Sequence, residues 1–509
     1  MSEPISSEAP PPNGVNPAAT TPIEAVGPAE HLHPAFLIAG LGGSFRAVSG
    51  AYAFLAYLIV SGKWSTALMV GIGIFAVSII GVFLYWRRFE YRVGQREIRI
   101  DSGILNRRHR SIPFDRIQDA DITQGPLDRL LGIAQVKFET GGGSAGRNSE
   151  EGVLRAITVQ RAHQLRELVR SQRAGAAAVS IEPEVEQPPA YAMDLRRLAI
   201  AGIFNFSLAI LAGLVGITQT FGDAIGFDPF SRRFWRSLLA ASAPLQDFAM
   251  AHQVIVVAAG SMLLIAVGVA AGFIRTALRD YGFRVDRTET GLRRRRGLLT
   301  RTDVTLPLNR AQAAVISTGP LREAFGWKEL SLKSLASDES GRRAHVVAPL
   351  AHDREVDRLL TELRWRALPP CPDWRHVSTA YVFAFALALT PLLIPLAVQA
   401  VLVPPAAIAF GAALAGAIGL RWLAWFRTAY ALDEDRVLIR TGWWRRKLLI
   451  LPFGRIQSAD ISENFVSRWF GTSTLRLGVA GGSMAGEIIP AIPTVAARQL
   501  RQQLLSLPA

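Results

Sequence analysis

One cysteine, Cys371, stands among 509 residues. No intrachain disulfide can form, which fits polar parts facing a reducing compartment. The eight histidines show no H-x-x-x-H or H-E-x-x-H spacing. With the lone thiol in a proline-flanked stretch, neither a metal centre nor a cysteine nucleophile is expected. Asp and Glu are missing from the long apolar runs, so a proton- or cation-coupled carrier lacks its usual intramembrane carboxylate. Gly141 to Gly143 with Ser144 lack the Lys-Ser/Thr and the strand–loop–helix setting of a phosphate loop, and read as a hairpin. The expectation is no enzyme and no cofactor.

Apolar residues and positive charge are plentiful. Half of the residues are hydrophobic and the mean hydropathy is +0.23, which points to a membrane. Residues 1–30, rich in Pro, Ala, Ser and Glu, read as a disordered tail without the basic start and apolar core of a signal peptide. Three apolar pairs follow, 47–60 with 65–86, 198–218 with 251–274, and 377–403 with 406–426. They make hairpins within 31–86, 198–274 and 377–426, the second around a periplasmic loop, 219–250. Most runs approach the ~20 residues a helix needs to cross the hydrocarbon, so six spans are expected.

Three polar segments, 87–175, 275–366 and 427–509, follow the hairpins, with linkers 176–197 and 367–376. Two spans separate consecutive segments, so all three lie on one side. Arg87, Arg88, Arg275, Arg279 and Arg427 directly follow the even-numbered spans. The positive-inside rule then places the segments and both termini in the cytoplasm, in a multi-pass protein of the cell inner membrane. Arg46, Arg197 and Arg375 precede the hairpins, where they can snorkel to the interface. Topology accounts for the net charge of +15, and no nucleic-acid partner is expected.

Each polar segment contains one copy of a 22-residue stretch. Residues 111–132 read SIPFDRIQDADITQGPLDRLLG, 305–326 read TLPLNRAQAAVISTGPLREAFG and 450–471 read ILPFGRIQSADISENFVSRWFG. Pro113/Pro307/Pro452, Arg116/Arg310/Arg455, Gln118/Gln312/Gln457, Ala120/Ala314/Ala459, Ile122/Ile316/Ile461 and Gly132/Gly326/Gly471 are identical without a gap. The internal repeat fixes an architecture of three like modules.

Within each module a strand pair comes first: 89–100 with 104–112, 282–286 with 291–301, and 429–440 with 443–451. Each is broken near a glycine, Gly103, Gly291 or Gly442. The first half of the repeat alternates like a strand, with Ile117 and Ile122 on one face only if a bulge intervenes. The second half reads as one helical turn closed by a left-handed glycine. Alternating stretches at 135–140, 329–333 and 474–479 follow, and amphipathic helices at 162–173, 353–365 and 495–505 close the modules.

Two apolar spans, strands carrying Gly-Leu-Leu or its like, Pro-hydrophobic-x-Arg-Ile-Gln-x-Ala-x-Ile, a one-turn helix and a later Gly-Gly together resemble the membrane-bound bacterial pleckstrin-homology (PH-like) domain family. Three copies behind six spans resemble its YdbT-like members, and His33-Pro34 resembles the short motif that opens many of them. The resemblance covers nearly everything after residue 31. It implies a multi-domain α+β membrane protein, with three repeats of a transmembrane hairpin followed by a PH-like β-barrel of about seven strands and a C-terminal helix. The second copy departs, with Ala311 for Ile117 and Ile456, and 335–337 where the others have glycines.

Two sets of residues are candidates for binding. Arg116, Gln118, Arg310, Gln312, Arg455 and Gln457 either line a repeated ligand surface or pair with backbone groups that fix the one-turn helix. Arg293, Arg294, Arg295 and Arg296 either contact anionic lipid, at roughly 1 kcal/mol per side chain, or form a solvated hairpin. The function expected is a non-enzymatic scaffold for protein assembly or lipid-headgroup contact, with an envelope-related role. Membrane lipids and a protein partner or a second copy are the expected partners. The alternative is a transporter or export subunit gated by the modules.

Overall fold

The computed structural model describes residues 27–40, 54–55, 58–59, 61–103, 108–140, 152–174, 188–205, 251–288, 291–334, 344–479 and 487–506. Module 1 contains β1 (Ala29–His31), β2 (Glu90–Val93), β3 (Glu97–Ser102), β4 (Arg108–Pro113), β5 (Ile117–Gln124), β6 (Ile133–Thr140) and β7 (Val153–Thr158). Module 2 repeats the order as β8 (Tyr191–Ala192), β9 (Arg284–Thr288), β10 (Gly291–Arg296), β11 (Arg301–Pro307), β12 (Ala311–Thr318), β13 (Lys328–Ser334) and β14 (Ala344–Ala351). Module 3 has β15 (Arg375–His376), β16 (Ala429–Leu432), β17 (Arg436–Thr441), β18 (Arg446–Pro452), β19 (Ile456–Ser462), β20 (Thr472–Val479) and β21 (Glu487–Pro493). The helices Val159–Ala174, Asp353–Glu362 and Thr494–Ser506 close the modules.

The first strand of every module precedes its apolar segment, so each apolar segment is an insertion between the module's first and second strands. This moves the expected boundaries. The end of the tail supplies β1, and the two linkers supply β8 and β15. Modules 1 and 3 root their hairpins alike. Trp86 and Trp425, near the ends of their helices, donate from Nε1 to the carbonyls of Leu32 and Val377, both at 2.9 Å. The next amides, of His33 and Ser378, donate to the carbonyls of Ala156 and Ala491. Both alanines have positive φ, 52° and 48°, a conformation costing an L-residue roughly 1–2 kcal/mol.

The first half of each module is a meander of three strands, where a pair was expected. In module 2 the hairpin glycine is Gly297 (φ 109°), equivalent to Gly103 (106°) and Gly442 (83°). Gly291 only opens β10. A Cβ on Gly297 would sit 1.8 Å from the Thr300 carbonyl oxygen, so no other residue fits.

The repeated stretch folds as expected. Each copy has a register shift at its glutamine, between Ile117 and Asp119, Ala311 and Ala313, and Ile456 and Ser458. The bulge turns Ile117 and Ile122 into one core, where both are buried. Gly132, Gly326 and Gly471 close the helical turn at φ of 67°, 71° and 60°.

The ladders do not respect the modules. β1 to β4 form one sheet, and β5 to β7 belong to the next, because β5 pairs with β11 of module 2. That sheet runs β7-β6-β5-β11-β10-β9-β8, and the following one runs β14-β13-β12-β18-β17-β16-β15. β19, β20 and β21 remain as a sheet of three. Each module is thus four strands facing three, with its closing helix packed on the core between them.

Among the described residues, four helices are long and apolar enough to cross a membrane: Trp64–Arg88, Ala258–Asp280, Ala380–Leu402 and Pro404–Arg427. Trp64–Arg88 buries only Ala67 and Val82, and its exposed Leu68, Met69 and Val77 make sense only in hydrocarbon. Its 25 residues extend roughly 37 Å. Ala380–Leu402 is interrupted by a 3-10 turn at Thr390–Leu392 around Pro391. Arg421 stacks on the Tyr381 ring, 3.5 Å from its centre. The expected first and third spans, the loop 219–250 and the three stretches after the middle strands (141–144, 335–337 and 481–483) fall largely or wholly outside the described residues.

Candidate functional site

The repeat builds two seams. In the first, β5 and β11 run antiparallel, with Gln124 opposite Arg301, Thr123 opposite Thr302 and Ile122 opposite Asp303. Arg166, on the closing helix of module 1, reaches across it and is 3 % exposed. Its Nε donates to the Ala120 carbonyl at 2.9 Å, Nη1 to Asp303 Oδ2 at 2.8 Å and Nη2 to the Asp303 carbonyl at 2.9 Å. Arg293 completes the carboxylate's shell through Nε and Nη2, at 2.8 and 2.6 Å. Burial alone would raise the Asp303 carboxyl, but the Arg293 hydrogen bonds and the Arg166 charge outweigh it and hold it at about 2. Burial, then Arg166, pushes the neighbouring His163 below the usual imidazole value.

In the second seam, β12 and β18 pair over five positions, Ala314 opposite Ile450 through Thr318 opposite Arg446. The three pairs of the first seam recur in the same register, as Thr318–Arg446, Ser317–Lys447 and Ile316–Leu448. Here the cores merge. Ala431, Leu438 and Ile450 of module 3 lie in the cluster of module 2, while Ala313 and Val315 of module 2 lie in that of module 3. Ion pairs Glu323–Arg446 and Lys333–Glu487 flank the ladder, and Arg436 donates to the carbonyls of Arg366 and Ala367 at 2.6 and 2.7 Å.

The arginine run belongs to the first seam, which corrects the lipid-contact reading. Along β10 alternate residues face opposite sides. Arg294 is fully buried and Arg296 is buried beside Asp280, 3.4 Å away. Arg293 is spent on Asp303, and only Arg295 is substantially exposed. A strand that turns half its arginines inward cannot offer four to a headgroup layer.

The repeated Arg and Gln do not share one environment either. Arg116 is exposed, Arg455 half-buried and Arg310 buried; Gln312 is buried and Gln457 exposed. Gln312 Nε2 donates to the Arg310 carbonyl at 3.2 Å, a backbone role at the bulge. Neighbouring strands decide which copies are covered.

A family model described as Bacterial PH domain matches residues 36–173, 240–367 and 382–507. The chain belongs to the bacterial PH domain family. The UPF0699 transmembrane protein YdbT of Bacillus subtilis (strain 168) is 22% identical over 464 residues, covering 86% of this chain and 89% of its own. No solved structure matches the chain at a significant level. The protein is therefore a YdbT-like, multi-pass membrane protein with three bacterial PH modules.

Two further surfaces of these PH modules are built from the sequence. The one-turn helices present exposed apolar side chains, Leu127 and Leu130, Leu321 and Phe325, and Phe465 and Trp469. In module 2 this turn abuts the helix Leu195–Phe204: the Phe325 ring lies 5.9 Å from that of Phe204, and Arg322 donates to Asn205 Oδ1 at 2.8 Å. In module 1 a cleft of about 390 Å³ is lined by Glu30, His31, His33, Tyr91 and Arg161 among others. Glu30 accepts from Tyr91 at 2.6 Å and from Arg161 Nε at 2.9 Å. Burial, reinforced by Glu30, pushes the Tyr91 hydroxyl above its ordinary value. These groups satisfy one another and tie β1 to the closing helix.

Sequence reasoning missed the seams, Arg166 and Asp303 above all. A signal existed: at equivalent repeat positions Arg166 and Asp303 become Leu360 and Leu448 together, a paired exchange of charge for apolar.

Proposed function

We propose that the chain is a non-enzymatic scaffold of the cell inner membrane, whose three bacterial PH modules act as one platform for protein assembly and lipid contact in an envelope-related role. The observation that carries this reading is the pair of ladders that continue each module's sheet into the next. Domains that move independently share no strands, whereas a platform for assembly needs fixed spacing between its sites. Neither the family nor the YdbT relative carries an enzymatic activity in its name. Six spans in three hairpins, with closed barrel-like modules and both termini in the cytoplasm, complete the picture, supported by arginines at the ends of the even-numbered helices. Lipid contact falls to the one-turn helices, whose Leu130, Phe325 and Trp469 suit the interface where aromatic and apolar side chains gather.

The test is a specific protease site placed within 176–187 of the full chain in membranes. After cleavage and gentle solubilisation, the fragment ending with module 1 should stay bound to the remainder. Separation of the two fragments would overturn the platform. Reporters fused after Arg173, after Trp365 and at Ala509 should all indicate the cytoplasm, and one inserted in 221–246 the opposite side.

A further inference from the structure

The seams leave two strands over. β4 of module 1 ends its sheet and is equivalent to β11 and β18, the strands that receive a neighbour. β19 of module 3 ends its sheet and is equivalent to β5 and β12, the strands that offer themselves. Among the described residues neither has a strand on its outer side. Exposure follows: β12 is buried throughout from Ala311 to Ile316, whereas Gln457 and Asp460 of β19 and Arg108, His109 and Ser111 of β4 are exposed.

We propose that β19 of one chain pairs with β4 of a second copy, a third seam made between molecules with the register of the two internal ones. The proposal rests on the platform reading, since it extends the same ladder. Carrying the register across by the repeated Pro and Gly sets Ser462 opposite Arg108, Ile461 opposite His109, Asp460 opposite Arg110 and Ala459 opposite Ser111. The charges agree. The β4 edge carries Arg108, His109 and Arg110, and the β19 edge carries Asp460 with Glu463 just beyond it. Arg501, the counterpart of Arg166 on the closing helix, is exposed at this end. It would meet an edge where Asp101 holds His109 at 2.7 Å.

The same charges forbid the other pairings. Two β4 edges would set cations together, and a β19 edge set against another would bring acidic groups together, so only head-to-tail addition is favourable. A heterologous contact of this kind does not close on a dimer; it generates rings or rows. All copies hang from one membrane, so the products would be arrays in its plane.

The experiment is disulfide trapping in native membranes, in full-length chains with Cys371→Ser. Opposed residues in an antiparallel ladder lie about 4.5–5.5 Å apart at Cα, within the span of a disulfide. One chain carries Arg108→Cys and a co-expressed chain carries Ser462→Cys. Mild oxidation should link the two kinds of chain to each other, and neither kind to itself. A control chain carries Thr123→Cys with Thr302→Cys, the equivalent pair of the first internal seam, and should close within one molecule. Arg110→Glu on the first chain should reduce the intermolecular link about tenfold, the factor that roughly 1.4 kcal/mol commands, and Asp460→Arg on the second should restore it. If the control closes while 108 and 462 never link, self-assembly is overturned and the platform stands. If the control also fails, the platform reading falls with it. Linking that ignores Arg110→Glu would overturn the assigned register.

Discussion

Two seams of identical register join the modules by opposite chemistry. Between modules 1 and 2 the ladder has three pairs, and its last pair holds a half-buried carboxylate, Asp303, gripped by Arg166 and Arg293. Between modules 2 and 3 the ladder has five pairs, and the matching positions, Leu360 and Leu448, belong to a continuous apolar cluster. Repetition therefore preserved the geometry and left the side chains free to change, provided that both partners changed together. The ionic seam should depend on charge and pH. The apolar seam should depend on packing.

The largest effect is expected from forcing the first chemistry onto the second seam. Leu360→Arg buries a cation without a partner, at a cost of about 3–5 kcal/mol. Local opening of β18, followed by hydrogen exchange, should reveal it. Adding Leu448→Asp should recover much of that loss if the two seams are geometric equivalents; no recovery would break the comparison.

The converse change is predicted to be milder. Arg166→Leu alone removes three hydrogen bonds, leaves Asp303 to Arg293, and should weaken the first seam by about 2–3 kcal/mol. Arg166→Leu with Asp303→Leu should recover part of that loss, because apolar residues of like volume often replace a buried ion pair, while Arg293 gives up its two hydrogen bonds to Asp303. Retention of the cleaved module 1 fragment measures both. A double variant no better than the single one would show that Arg293 and His163 cannot tolerate the exchange.

A leg read with acid separates the seams most simply. The Asp303 carboxyl is depressed from 3.8 to about 2 in the folded chain. A depressed carboxylate contributes stability above its unfolded value and loses it as pH falls through the folded one. The first seam should therefore weaken by roughly 2 kcal/mol between about pH 4 and pH 2. The second seam has Leu448 at the equivalent position and should hold over that window. Equal loss in both would contradict the assignment.

Much of the module was legible beforehand. The repeated Pro and Gly placed the one-turn helix, the clash of period between Ile117 and Ile122 placed the bulge, and apolar periodicity placed the three closing helices. The first strands were not legible, because two or three residues, as in Tyr191–Ala192, are too short to show alternation. The arginine run misled because four like residues hide a strand's period: Arg293 and Arg295 look the same as Arg294 and Arg296 until their faces are known. The seams were invisible for a different reason. An edge strand and a central strand differ in what lies beside them, and Arg166 meets a residue 137 positions away.

Amide-resolved hydrogen exchange along β18 in the full chain tests the shared ladders most directly. Alternate amides of an antiparallel strand point to opposite neighbours. Pairing with β17 on one side and β12 on the other therefore predicts unbroken slow exchange through Lys447, Leu448, Leu449 and Ile450. A strictly alternating pattern of slow and fast amides would mean that β18 has one neighbour only, and that modules 2 and 3 are separate bodies.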